Sequence, residues 1–343
     1  RFVRELEDRI FAACDLCSWV MVAHMGGDSL PDPKWLQPQG NACPRGPDLH
    51  ACMFAAQLGL IDVMLGDALH PHVKERLRYE IDRRVLRPVS ERAYWWHHGY
   101  NNWNGVCTGG VIIAALTALP DSRRQAWLIE QACASLQTFL DVGFEDDGAC
   151  TEGIGYWNFG VSWHTFASEI LRLRTGGALD PLAHEKMGRI AAFPLKIEIA
   201  DGRYPPFSDA DPVSRPQPWL LELLGRRFEL PGLCAMSSRY RQGPEAGFMP
   251  VISRLFLIPN YAEIEAKEGD YPASVTLPAA QWLISRPAAG DTTGLLVAAK
   301  GGHNDEPHNH NDIGAFAVFV DEEMQLLHPG SSVEDRDYVA ARR

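Results

Sequence analysis

Three short stretches of this sequence concentrate the side chains that do chemistry. The densest reads Gly301-Gly302-His303-Asn304-Asp305-Glu306-Pro307-His308-Asn309-His310-Asn311-Asp312-Ile313-Gly314. Four of the twelve histidines fall between positions 303 and 328. His308 and His310 alternate, so on an extended segment both face one side. His328 lies in Leu326-Leu327-His328-Pro329-Gly330, at the end of the next β-rich run, and antiparallel pairing can return it to His310. Two converging imidazoles suit zinc, which then needs a third or fourth ligand. A surface histidine cluster is the plain alternative.

A second stretch, Trp95-Trp96-His97-His98-Gly99-Tyr100-Asn101-Asn102-Trp103-Asn104, packs three Trp, two His and three Asn into ten residues before a helical pattern. Asn101 or Asn102 can cap that helix, with the aromatics as packing. The same residues would also serve a sugar site. Aromatic faces stack on pyranose rings, and amides hydrogen-bond hydroxyls and carboxylates. The third stretch, Asp146-Asp147-Gly148-Ala149-Cys150-Thr151-Glu152-Gly153-Ile154-Gly155-Tyr156-Trp157, is a glycine-punctuated loop running into a helix. Asp146 and Glu152 read as solvated turn residues or as the carboxylate pair of a glycosidase. Tyr156 reads as a packing aromatic or as a proton-transfer group in a cleft.

These stretches must be positioned by two kinds of structure. Apolar residues recur at three and four over 2–25, 49–69, 73–86, 105–119, 124–142, 157–173, 182–197 and 218–224, which predicts helix after helix to about residue 230. Pro120-Asp121-Ser122 supplies an N-cap before the helix that starts near Arg124. Short links between helices point to antiparallel pairs, in a bundle or an α/α toroid. After about Gly243 short β-rich runs follow, at 251–258, 280–285, 294–300, 314–320 and 324–327. Phe316, Val318 and Val320 fall on one face of their run. A sandwich needs more strands than these five, so the β domain reads as unfinished.

The 343 residues exceed what one hydrophobic core usually supports, so two domains are expected, 1–240 and 241–343. The formal net charge of −12 argues against a general nucleic-acid binder, since phosphate contacts need clustered Lys and Arg. It leaves an anionic substrate open, because a local cleft can oppose the global sign. No run of about 18 uninterrupted apolar residues occurs, so no membrane partner is expected. Eight cysteines include a Cys14-Asp15-Leu16-Cys17 pair within a helical pattern, which reads as buried structural thiols. The sequence starts at Arg1 with no signal-peptide pattern, so it is processed or a piece of something longer.

Taken together, the three stretches resemble the heparinase II/III-like polysaccharide lyases, a group that includes alginate lyases. The matching text is Asn101-Asn102-Trp103-Asn104, then Glu152 to Trp157, then Lys300 to Gly314, ending at His328-Pro329-Gly330. The resemblance implies an α/α toroid followed by antiparallel β-sandwich layers, here incomplete. It implies β-elimination on a uronate-containing acidic glycan, such as heparan sulfate or alginate, leaving 4,5-unsaturated ends. By motif, Asn102 neutralises the uronate carboxylate and Tyr156 acts as acid, or as both acid and base. His308 is the partner base or carboxylate contact, and His310 and His328 hold a structural zinc. Substrate contacts would fall on His98, Asn101, Trp103, Asn104, Glu152, Trp157 and His303. A periplasmic or secreted location and a possible oligomer go with that reading.

Two departures stand out. His328 occupies a position where the family usually has Asp, and Trp103 one where several relatives have His, unless His97 or His98 compensates. The rivals are an α/α-barrel glycoside hydrolase using Asp146 and Glu152, and a non-catalytic glycan-binding protein.

Overall fold

The structure, a computed structural model, describes residues 2–24, 46–243, 246–267, 271–308, 310 and 313–326. Helices come first: α1 (Phe2–Asp15), α2 (Leu49–Leu65), α3 (Pro71–Ile81), α4 (Arg87–Glu91), α5 (Asn102–Ala118), α6 (Arg123–Val142) and α7 (Ile154–Arg174). They continue with α8 (Met187–Ala191), α9 (Phe193–Ile197), α10 (Pro218–Arg227), α11 (Pro231–Tyr240) and α12 (Phe248–Ile252). The strands β1 (Ser274–Leu277), β2 (Trp282–Ser285), β3 (Leu295–Lys300), β4 (Phe316–Val320) and β5 (Glu323–Leu326) close the order. The chain divides into two units. One holds Arg1–Gly99, Trp103–Phe139 and Trp163–Pro181; the other holds Tyr100–Asn102, Leu140–Ser162 and Leu182–Arg343.

In the first unit α5 is apolar nearly all round and buried along most of its length, whereas α2, equally apolar, leaves His50, Val63 and Met64 exposed. Neighbouring glycines let backbones approach. A Cβ on Gly109 would lie 2.8 Å from the Trp163 carbonyl oxygen, and one on Gly110 2.7 Å from the Cys52 backbone. The expected cap is present: Ser122 Oγ accepts from Gln125 N at 3.2 Å. Counting uninterrupted apolar runs overlooks one segment. The helix over Leu49–Ala68 is long and apolar enough to cross a membrane by length and composition. Within it Asp62 is buried, 2.5 Å from Arg78 Nε and 3.9 Å from Lys74 Nζ on α3.

In the second unit the helical pattern at 182–197 breaks into α8 and α9, with Pro194 in the first turn of α9 where its missing N–H is harmless. The strands form one antiparallel sheet in the order β1-β2-β3-β4-β5. Registers include Leu277 opposite Trp282, Trp282 opposite Lys300 and Val297 opposite Val318. The β4–β5 turn uses Asp321 and Glu322 at φ of 50° and 68°, as a two-residue hairpin turn requires. Phe316, Val318 and Val320 share one face of β4 as expected, and it is the more exposed one. Ala317 and Phe319 are buried, while Phe316 is half exposed. The run at 251–258 is not a strand. It completes α12 and continues as π- and 3-10-helical turns, with Ile252, Leu257 and Ile258 buried. A short apolar run does not separate strand from helix by periodicity alone. Strand β1 lies outside every run expected to be β.

Candidate active site

All the groups that converge belong to the second unit. Asn102 opens α5 and Glu152 ends the loop before α7. Both are buried, each 2% exposed. Glu152 Oε1 accepts from the Asn102 backbone N–H at 2.8 Å, and Oε2 accepts from Asn102 Nδ2 at 2.7 Å. An ionised carboxylate only accepts, so it fixes the amide with its nitrogen toward Glu152. One amide hydrogen is used there and the second remains to donate elsewhere. Asn102 Oδ1 is buried with no hydrogen-bond partner among the described residues. Glu152 is thus a buried orienting group, not an exposed contact for sugar.

A second carboxylate joins from Tyr204-Pro205-Pro206-Phe207-Ser208-Asp209, a segment anchored by buried Tyr204 and Phe207. Asp209 Oδ2 lies 2.5 Å from His308 Nδ1, and Asp209 Oδ1 bonds His310 Nε2. His308 Nε2 is 3.4 Å from Glu152 Oε2. The His308 ring also stacks on Tyr156, with centroids 4.0 Å apart and planes at 19°. Burial works against a charged His308, but hydrogen bonds and charge from Asp209 and Glu152 outweigh it and raise its pKa to about 9. Burial likewise opposes the Asp209 carboxylate, and its bonds from His308 and His310 hold it below the usual range. With a carboxylate on each ring nitrogen, His308 is an imidazolium at neutral pH. A protonated His308 has no lone pair free for the base role expected of it.

Two loops touch through a glycine. Gly153 has φ of 93°, and a Cβ there would lie 2.9 Å from Ala210 Cβ and 3.2 Å from the Phe207 carbonyl oxygen. Gly153→Ala is expected to destabilise the protein by about 1–3 kcal/mol and to displace the Asp209 loop. Urea unfolding checks the first effect, and an unchanged midpoint would count against this packing.

The structure sorts the remaining expected residues. Trp157 is fully buried with Nε1 donating to the Ile190 carbonyl oxygen at 2.9 Å, so it has no face for a sugar. Asn104, in the first unit, is fully buried and donates to the carbonyl oxygens of His97 and Gly99 at 3.3 and 3.2 Å. It ties down the preceding turn. His97 accepts from Tyr94 N at 2.9 Å, and burial lowers its pKa to about 4, so it is neutral and does not compensate for Trp103. His98 is exposed in a 3-10 turn over Trp95–His98. Trp103 is half-buried, its ring 4.7 Å from His24 and 5.0 Å from Trp95. Asn101 sits just before α5, half-buried. His303 is exposed, its Nδ1 accepting from Asp305 N at 3.2 Å. Asp146 is exposed and 3.1 Å from Lys186, while Glu152 is buried against Asn102. Asp209 is the group sequence reasoning missed. A pair of alternating histidines demands a carboxylate partner, but nothing in the chain says which one.

Zinc requires three or four ligands. Among the described residues no group of three or more His, Cys, Asp and Glu side chains is placed to hold a metal. His310 and Asp209 bond each other, and His328 lies outside the described residues. The described residues alone therefore do not make up a zinc site. A cavity of about 570 Å³ in this unit is lined by Lys196, Glu198, Arg239, Lys267 and Tyr271, and by none of the groups above.

Helices followed by an antiparallel sheet define a fold class, the α/α toroid with a β domain, and known structures share it. The heparan sulfate lyase HepC from Pedobacter heparinus matches over 86% of this chain with a TM-score of 0.57 and 14% identity. A mutant of that lyase matches over 86% with a TM-score of 0.59 and 14% identity. This chain spans only 42–43% of their length. No protein-family model matches the sequence. No curated protein matches it either.

Proposed function

We propose that this chain carries the catalytic groups of a polysaccharide lyase that cleaves a uronate-containing acidic glycan, of the heparan sulfate or alginate kind, by β-elimination. The observation that carries this reading is the stack of Tyr156 on His308, with His308 held between Glu152 and Asp209. The fold likeness to a heparan sulfate lyase supports it. In the reaction the spare amide hydrogen of Asn102 bonds the uronate carboxylate, which makes the C5 proton more acidic. Tyr156, ionised to phenolate before the sugar reacts, takes that proton on its oxygen. The C4–O4 bond then breaks, C4 and C5 become doubly bonded, and the leaving O4 takes a proton from Tyr156. The His308 imidazolium supplies the positive charge that a transient phenolate needs.

The test is a panel of acidic glycans read by ultraviolet absorbance. Release of an absorbing unsaturated uronate is expected with at least one of them. Saturated ends alone would mean a hydrolase. Binding without any product would mean a glycan-binding protein.

A further inference from the structure

We propose that the buried ammonium of Lys300 is a positioning group, tying together the three loops that carry Glu152, Asp209 and His308. Lys300 ends β3, and its backbone is held on both sides. Its N–H donates to the Ala315 carbonyl oxygen at 2.8 Å, and its carbonyl oxygen accepts from Gly314 N at 2.9 Å. Its side chain is 0% exposed. Nζ lies 2.8 Å from Glu306 Oε2 and 3.5 Å from Ser208 Oγ. Ser208 Oγ donates to the Thr151 carbonyl oxygen at 2.6 Å. That bond uses the one hydroxyl hydrogen, so Ser208 receives from Lys300 through a lone pair.

The positions of these partners make the case. Thr151 precedes Glu152, Ser208 precedes Asp209, and Glu306 is two residues from His308. Ser208 and His308 both hold a φ of 55°, a conformation that L residues keep only when their surroundings impose it. Gly302 leaves the room: at φ of 77°, a Cβ there would lie 2.2 Å from Glu306 Oε1. A buried ion pair is weak evidence for stability, since apolar residues of similar size often serve as well. Here the ion pair continues through Ser208 to the Thr151 carbonyl and so links all three loops, which apolar side chains would not do. Lys300 itself has no part in the proton transfers. The inference rests on the reading of the site as a lyase centre.

The experiment compares Lys300→Met with the double variant Lys300→Met/Glu306→Met. The single variant strands a buried carboxylate, so its melting temperature should fall sharply. The double variant should regain most of the parent melting temperature, yet keep a kcat lower by on the order of 10²-fold with KM within about threefold. Recovery of kcat together with stability would make Lys300 merely structural and overturn the proposal. If the double variant does not fold, Ser208→Ala breaks the same link without burying a charge. It should lower kcat by about tenfold, and parent-like turnover would overturn the proposal. Should the parent act on no acidic glycan, the lyase reading fails, and the positioning claim is read by proton NMR. The hydrogen-bonded Nδ1 proton of His308 should shift or vanish in the double variant or in Ser208→Ala, and an unchanged resonance would reject it.

Discussion

Tyr156→Phe is expected to lower turnover of an acidic glycan by roughly 10²–10⁴-fold while changing its affinity by less than about threefold. Phenylalanine keeps the ring that stacks 4.0 Å from His308, so packing and the neighbouring charges stay in place. Only the oxygen that moves protons is removed. Initial rates by ultraviolet absorbance, set beside calorimetric binding of the same glycan, separate the two effects. A near-parent rate would remove Tyr156 from the mechanism. A lost affinity with a normal rate at saturation would recast it as a contact for the sugar.

Asp209→Asn is the second large effect, and it has a pH signature. The pKa of His308 rises from the ordinary 6.5 to about 9 in the folded protein, against burial and through Asp209 and Glu152. A group raised on folding contributes stability that is complete below its unfolded pKa and is lost as pH climbs through the folded one. The parent should therefore lose on the order of 3 kcal/mol between about pH 6.5 and pH 9. At the acid end the sign reverses. Asp209, held below the usual carboxylate range, adds stability that disappears as the pH falls through its folded pKa. Asp209→Asn removes the nearer of the two anions facing His308, so most of the alkaline loss should vanish, together with the stability present at pH 6. Urea denaturation of parent and variant at pH 6 and pH 9 gives all four values. A parent whose stability is flat across that window would show that His308 is not held charged.

The parts of this protein legible from sequence are those whose information is local. Apolar spacing found α2, α5, α6 and α7 because each buries a face or the whole of a helix. Ser122 was readable as a cap because its partner, Gln125, is three residues away. The run at 251–258 was misread because Leu255 and Phe256 are exposed apolar neighbours, which blurs a helical period. Strand β1 carries Ser274 and Thr276 and hardly differs from a loop. At the site, Asn102, Tyr156 and His308 were visible as unusual residues in unusual company. Their arrangement was not. Glu152 looked like a turn carboxylate, yet it faces Asn102 from fifty positions away. Asp209 sits among prolines and small residues, the composition of an ordinary turn.

The strand order carries a kinetic consequence. Among the described residues every strand of the sheet pairs with its neighbour in the chain. The bonds of the site are different: Asn102 to Glu152 spans 50 residues, His308 to Asp209 spans 99, and His310 to Asp209 spans 101. Loop-closure entropy grows with the span to be closed, so the meander forms its contacts against a smaller entropic barrier than the site does. During folding the sheet is free to assemble while Asp209 and the two histidines are still apart. Hydrogen-exchange protection in β2, β3 and β4 should accordingly rise earlier than the return of the His308–Asp209 bond.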